Sequence, residues 1–366
     1  MNPYEPCILP LSDLDYQRLL PLVGAANREL ALYDGSLRAV VNPSVMLSPL
    51  TTEEATLSSR LEGTQATVDD VYEHEAGIAD PEKANDIQEI VNYRKALRLG
   101  QEQLKAYPIT LPFVREIHKI LLDSVRGKDK NPGEFRRDQN WIGPDKCKIE
   151  EATYVPPEPN RLVDHLEAWT EYISGEDIDV LIQAAVMHAQ FELLHPFKDG
   201  NGRIGRLLIP LFLFQKKALS QPMFYLSSYL EAHRDEYYST LDRISKEGDW
   251  NSWIAFFLTA ITGQAKRNIA SVDKILTLYD EMKDRIQKCT HSQFTMQILD
   301  QIFNRPIFKT SDFVKETKIN RATALGLVRA LKEEGIIMEL SPGAGRRSAV
   351  MCFPSLLNAA EGREIL

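Results

Sequence analysis

Cysteine is scarce in this chain. Its 366 residues hold four (Cys7, Cys147, Cys289 and Cys352), far apart and without a Cys-x-x-Cys pair. That spacing argues against a disulfide framework or a cysteine zinc site and predicts reduced thiols. No apolar run approaches the roughly 20 residues needed to span a bilayer. The opening Met-Asn-Pro-Tyr-Glu-Pro lacks the basic-then-apolar pattern of a secretion signal. The expectation is a cytoplasmic protein with no membrane partner. There is no Gly-x-x-x-x-Gly-Lys-(Ser/Thr), which excludes a P-loop. There is no His-Glu-x-x-His or clustered His/Asp set either, which argues against metal-dependent hydrolysis. Low-complexity tracts and internal repeats are also missing. What remains is ordinary for a soluble globular chain: 43% hydrophobic and 26% charged. The length suits two or three domains.

Negative charge dominates, with a net −9, but unevenly. From His291 to Pro354 nine Lys/Arg stand against six Asp/Glu. That local excess marks the C-terminal piece as a separate module able to meet an acidic partner.

Most of the first 285 residues carry apolar positions at three-to-four spacing, which predicts helix. Asp179 to Leu194 has no Gly or Pro and is apolar on most sides, so it reads as a buried central helix ending before Pro196. Ile204 to Lys217 is again helical despite Pro210. Between Asn131 and Pro159 proline and glycine are dense, while Trp141, Ile142, Tyr154 and Val155 suit short extended segments, so a loop or small β-hairpin is expected. Beyond Thr290 the pattern becomes three short helices and a hairpin. Ser292 to Phe303 is the first helix; Thr310 or Ser311 caps the second, running through Thr317; Asn320 caps the third, which Gly335 ends. Ile336 to Leu340 and Ala349 to Phe353 read as strands around a tip holding Arg346 and Arg347. This order resembles a winged helix, a relative of the helix-turn-helix readers.

The chemistry concentrates between His195 and Arg206, where the chain reads His-Pro-Phe-Lys-Asp-Gly-Asn-Gly-Arg-Ile-Gly-Arg. His195 can accept a hydroxyl proton near neutral pH. Asp199 is a hard oxygen ligand suited to Mg²⁺ on phosphates. Gly200, Asn201 and Gly202 can present amides at a helix start, where the dipole favours anions, and Asn201 adds a side-chain amide for an α-phosphate. Arg203 and Arg206, one turn apart, can grip outer phosphates. Phe197 anchors the loop in the core. His188, inside the apolar helix, is read as structural, and Lys198 as solvated. Gly200-x-Gly202-x-x-Gly205 formally fits a dinucleotide fingerprint, but no strand precedes it and no acid follows at the needed distance.

The run resembles the Fic signature, His-Pro-Phe-x-(Asp/Glu)-Gly-Asn-Gly-Arg-x-x-Arg, at every specified position. The resemblance implies a mostly α Fic-type helical bundle with a β-hairpin flap, here joined to a C-terminal winged helix. It implies transfer of AMP from ATP to a Ser, Thr or Tyr hydroxyl of a target protein or of the chain itself. His195 would be catalytic, Asp199 would hold Mg²⁺, and Gly200 to Arg206, including Ile204 and Gly205, would bind ATP. Upstream, Ser58-Ser59-Arg60-Leu61-Glu62-Gly63 matches the family's inhibitory motif, (Ser/Thr)-x-x-x-Glu-(Gly/Asn), on a helix over about 52–63. Ser58, Glu62 and Gly63 are its marked positions, and Glu62 would pair with Arg206 and so misalign ATP.

Tyr237 and Tyr238 resemble tyrosines that line the nucleotide pocket in relatives, although Ser245 stands where some relatives place Asn. Trp141, Ile142 and Gly143 would form the flap, whose edge can take an extended target segment by strand addition. The expected organisation is an N-terminal helical region over 1–105, a catalytic core over 106–260, a connecting helix over 261–289 and a winged helix over 290–366. Two rivals remain: a Fic enzyme that moves or removes another phosphate-containing group, and a winged-helix transcriptional regulator that binds DNA with the core as nucleotide sensor. Gly202 argues against the phosphate-transferring variant, which carries Lys there. A homodimer stays open.

Overall fold

In a computed structural model of the chain, residues 2–40, 42–78, 81–123, 128–144, 147–343 and 347–361 are described. Helices dominate: α1 (Tyr16–Ala39), α2 (Pro43–Met46), α3 (Ser48–Leu61), α4 (Val68–Glu75), α5 (Ala84–Gln103), α6 (Leu111–Leu121), α7 (Leu162–Ser174), α8 (Val180–Leu194), α9 (Asn201–Gln215), α10 (Ser227–Ala232), α11 (Arg234–Glu247) and α12 (Trp250–Thr290). After them come α13 (Thr295–Asn304), β1 (Ile307–Lys309), α14 (Thr310–Thr317), α15 (Arg321–Glu333), β2 (Met338–Ser341), β3 (Val350–Cys352) and α16 (Pro354–Glu361). The mostly α expectation holds. The chain divides into two compact units, Met1–Asp34 with Leu57–Thr64 and Gln88–Lys266, and Gly35–Thr56 with Gln65–Ile87 and Arg267–Leu366.

The first unit is built around α8, whose side chains are almost all buried. The Asp179 carboxylate caps it, accepting the amides of Leu181 (2.8 Å) and Ile182 (3.3 Å). α9 packs against it and runs through Pro210, starting three residues before the expected position. Among its described residues the Pro/Gly-rich segment forms a single antiparallel bridge, Ile142 to Tyr154, in place of a full hairpin.

In the second unit three strands make one antiparallel sheet in the order β1-β3-β2. β1 was not expected from sequence. Its three residues follow Pro306 and are too few for an alternating pattern to show. Asn320 caps α15 as anticipated, through the Ala322 amide at 3.0 Å, and Gly335 follows at φ 71°. The cap of α14 is Lys309, without a side-chain bond, where Thr310 or Ser311 was expected. α13 starts at Thr295, later than Ser292. Arg346 lies outside the described residues, and Arg347 is exposed. Val68, Tyr72, Ala76, Ile307, Val350, Cys352 and Leu357 form a buried apolar cluster of this unit.

Candidate active site

α8 ends at His195, which takes the left-handed conformation (φ 45°, ψ 58°) and donates its amide to the Phe191 carbonyl. A side chain at positive φ is disfavoured and has to be held. Arg136 holds it. Its Nε donates to the His195 carbonyl (3.0 Å), and its Nη2 to Leu194 (3.4 Å) and to Pro157. Its own amide donates to Pro196 (2.9 Å). Arg136 is 3% exposed. Burial pulls its guanidinium down to about 10, which leaves it cationic at neutral pH.

The signature loop then folds on itself. Phe197 is fully buried and stacks on the His118 ring (3.6 Å between centroids, 6° between planes). His118 Nε2 donates to the Asp199 carbonyl (3.0 Å), while its Nδ1 accepts the Gly133 amide (2.9 Å). Those partners fix one neutral tautomer, and burial pushes the ring down to about 4. The Asn201 side chain is not free for phosphate, contrary to expectation. Its Oδ1 accepts the Phe197 amide (2.8 Å) and its Nδ2 donates to the Phe197 carbonyl (2.9 Å), so both ends are spent closing the loop. Gly200, at φ 79°, turns the chain into α9. Its amide donates to Asp199 Oδ1 (2.6 Å). The first-turn amides of α9 that follow, at Asn201, Gly202 and Arg203, have no acceptor within the helix.

The two arginines differ. Arg203 donates to Glu89 (2.8 Å) and lies 3.5 Å from Asp199. Arg206, 2% exposed in its side chain, meets the end of α3. It donates through Nε to Ser58 Oγ (2.9 Å) and through Nη2 to the Ser58 carbonyl (2.8 Å) and Glu62 Oε1 (2.6 Å). Gly63, at φ 97°, terminates that helix, and the Leu61 carbonyl accepts from Arg234 (3.2 Å). Desolvation raises the Glu62 carboxyl, but the Arg206 charge and hydrogen bond, with Arg203 and His195 behind them, hold it below the usual range. Gly202 is a matter of space: a Cβ there would sit 2.2 Å from Glu62 Oε1.

A cavity of about 460 Å³ opens beside His195, lined by Ile142, Tyr154, Glu192, Tyr238 and Ser245 among others. His195 Nδ1 lies 3.3 Å from the Glu192 carbonyl. A carbonyl can only accept, so Nδ1 carries the proton and Nε2 keeps its lone pair. Burial pushes the imidazole down to about 4, against the Glu192 hydrogen bond and the charges of Glu62 and Asp199. Tyr238 is 41% exposed and lines the cavity with Ser245. Tyr237 does not, which corrects its expected role. It is fully buried, and its hydroxyl meets His188 Nε2 at 3.0 Å, so both residues belong to the core.

Comparisons with known proteins bear on the family and the fold. Residues 20–102 match the Fic/DOC family N-terminal region and residues 108–213 the Fic/DOC family itself, together more than half the chain. The chain belongs to the Fic/DOC family. It is 32% identical over 154 residues to the protein adenylyltransferase Fic of Aedes aegypti, a match covering 40% of this chain and 27% of that protein. The chain thus spans about a quarter of that relative. It is 24% identical over 301 residues to a probable protein adenylyltransferase of Aquifex aeolicus, covering 79% and 84%. A crystal structure of a Fic family protein from Desulfovibrio desulfuricans superposes with a TM-score of 0.59 at 17% identity, over 95% of this chain and 98% of that one. A Fic-domain signalling protein from Bacteroides thetaiotaomicron gives 0.54 at 18%, over 68% and 96%. Both share the fold.

Of the Fic signature residues, His195, Asp199, Gly200 and Gly202 surround the start of α9, and Ile204 is a buried core residue. Ser58 and Glu62 reach the same helix. Ile142 lies at the cavity rim, and Gly143 packs against Cys147, whose Sγ would be 2.6 Å from a Cβ there. Lys198 is 3.6 Å from Asp138. Among the described residues no three His, Cys, Asp or Glu gather as a ready metal cluster. Asp199 is a half-exposed carboxylate, 44% open. That suits Mg²⁺, which uses one or two carboxylates and takes its other ligands from phosphates and water. Among the described residues no helix is long and apolar enough to cross a membrane. Arg136 and His118 position the loop and were not assigned from sequence. Their signals were an arginine in a Pro/Gly-rich loop and a lone histidine on the buried stripe of Phe113, Val114, Ile117 and Leu121.

Proposed function

We propose that this Fic protein transfers AMP from ATP to a hydroxyl of a protein side chain, and that Glu62 restrains it by occupying Arg206. The carrying observation is the His195 tautomer: Nδ1–H is turned to the Glu192 carbonyl, leaving Nε2 as a proton acceptor on a residue that lines the cavity. His195 Nε2 takes the proton of the target hydroxyl, whose oxygen attacks the α-phosphorus. The bond from that phosphorus to the bridging oxygen breaks, and pyrophosphate leaves. The amides opening α9 and its helix dipole stabilise the developing charge. Arg206 would grip the outer phosphate once Glu62 withdraws. Asp199 would hold Mg²⁺, which neutralises triphosphate charge.

The relatives' names as adenylyltransferases support the transferred group. The test is labelled ATP with purified protein and lysate. Glu62→Gly should raise labelling about tenfold or more, since roughly 1.4 kcal/mol is a factor of ten. His195→Ala should abolish labelling in either background while nucleotide binding persists. Mass spectrometry of the modified protein separates AMP from other phosphate-containing groups. Equal labelling by Glu62→Gly and parent removes the restraint.

A second reading concerns the C-terminal module. Its helix–strand–helix–helix–strand–strand order supports a winged helix, and α15 exposes Arg321 and Arg329, which make no ion pair among the described residues. We propose duplex DNA as the partner of that face. A gel shift across a salt series decides, because phosphate contacts give steep salt dependence.

A further inference from the structure

Glu192 lines the cavity beside His195 yet has no side-chain task in the reaction proposed above. It lies on α8 one turn before His195, and its side chain reaches α9. There Gly205 leaves room for it: a Cβ on Gly205 would sit 2.1 Å from Glu192 Oε1. That oxygen is buried and has no hydrogen-bond partner among the described residues. Gly202 and Gly205 lie one turn apart on the same face of α9, and a Cβ on Gly202 would sit 2.9 Å from Arg206 Nη1, so the Glu192 carboxyl shares that face with the guanidinium that Glu62 already holds at 2.6 Å. One buried arginine is therefore flanked by two acids and uses one of them.

We propose that Glu192 is a positioning residue for Arg206, a second carboxyl that takes over the guanidinium when Glu62 withdraws and yields it when nucleotide phosphates arrive. The physical need is clear. A buried guanidinium stripped of its counter-ion is disfavoured, and without a substitute Arg206 would lose its place before ATP could use it. The phosphate half of this inference rests on the proposed nucleotide reading; the exchange between the two carboxyls does not.

The proton accompanies the exchange. Burial pushes the Glu192 carboxyl up to about 8, with Arg206 pulling it down and Glu62 pushing it further up. Withdrawal of Glu62 removes a like charge and frees the arginine, so Glu192 releases its proton to solvent. Arrival of phosphate reverses both terms, and Glu192 takes a proton back. The tyrosines and histidines around this carboxyl do not titrate near neutral pH, and Asp242 and Lys246 also line the cavity. Tyr237 and Tyr238 from α11 are raised by burial. His188 and His195, on either side of Glu192, are pushed down to about 3 and 4.

Infrared difference spectroscopy of the full chain, without nucleotide, reads the protonated carboxyl directly. The parent should show a protonated-carboxyl band near neutral pH that Glu192→Gln removes and Glu192→Asp shifts. In Glu62→Gly its midpoint should fall by about one pH unit or more. Calorimetry with Mg·ATP in buffers of different ionisation enthalpy should then show Glu62→Gly taking up about half a proton or more per nucleotide near pH 7.5, and Glu62→Gly/Glu192→Gln close to none. A midpoint unchanged by Glu62→Gly, or proton uptake unchanged by Glu192→Gln, overturns the inference. If neither variant binds nucleotide, the adenylyltransferase reading falls, while the nucleotide-free midpoint still decides whether Glu192 replaces Glu62.

Discussion

Glu62 and Gly202 approach so closely that no side chain fits between them: a Cβ at position 202 would lie 2.2 Å from Glu62 Oε1 and 2.9 Å from Arg206 Nη1. The ion pair between Glu62 and Arg206 therefore depends on a bare backbone across from it. Gly202→Ala should expel Glu62 without deleting either partner. Because the Glu62 side chain is 35% exposed, solvent screens the pair, and a loss of about 1 kcal/mol in unfolding free energy is expected. In a double-mutant cycle with Glu62→Gly the two losses should fail to add, since both remove one interaction. Additive losses in urea denaturation would show that the close approach is not made in solution.

Arg136 offers a test that does not involve the nucleotide. Its guanidinium satisfies carbonyls of His195, Leu194 and Pro157 from a position 3% exposed. Arg136→Ala leaves those carbonyls without donors and the positive-φ His195 unsupported. A loss of about 3 kcal/mol or more in unfolding free energy is expected. Arg136→Lys should recover little of it, because an ammonium lacks the planar fork. Full recovery by lysine would mean that charge alone, and not the fork, holds the loop.

The signature was legible because its chemistry is local. Twelve consecutive residues carry imidazole, carboxylate, turn and arginines, and α8 could be read from its unbroken apolar run. What escaped lies in tertiary partners. Asn201 folds back on Phe197, four residues away, and nothing in its neighbourhood says whether an amide will face a ligand or its own loop. His118 reaches Asp199 across 81 positions and Arg136 reaches His195 across 59, distances at which no spacing rule operates. Tyr237 and Tyr238 are adjacent on α11 and so point in different directions, one to the core and one to the cavity. The pair could be noticed in sequence, but its division of labour could not.

That division predicts opposite behaviour for two substitutions. Tyr237→Phe removes the hydroxyl facing buried His188 Nε2 at 3.0 Å and should cost about 1–2 kcal/mol in stability. Tyr238→Ala, at an exposed position of the cavity wall, should change stability by less than about 0.5 kcal/mol. On the proposed reading it should instead raise KM for ATP several-fold. Thermal melts and transfer kinetics on the two variants check both halves. A KM effect confined to Tyr237→Phe would return Tyr237 to the pocket and move Tyr238 out of it.

Stability should form a dome in pH, and its two slopes have separate owners. Burial pushes His118 and His195 down to about 4 and His188 to about 3, from an ordinary value of 6.5. As pH falls below 6.5 the unfolded chain binds protons at these rings and the folded chain does not, so their stabilisation is lost on acidification. Glu192 acts in the other sense. Raised from 4.5 to about 8, it keeps a proton in the folded state that the unfolded chain has released, so its contribution is lost as pH rises from 4.5 to 8. Between pH 4.5 and 6.5 three histidines oppose one carboxyl, and stability should climb with pH, each net proton giving about 1.4 kcal/mol per pH unit at most. His195 contributes less than the two fully buried rings because part of it meets solvent. Between pH 6.5 and 8 Glu192 acts alone among these four, and stability should decline. Urea denaturation at half-unit steps reads both slopes. Glu192→Gln should remove the decline while steepening the acid side, and an unchanged alkaline slope in that variant would show that Glu192 is already ionised in the folded chain.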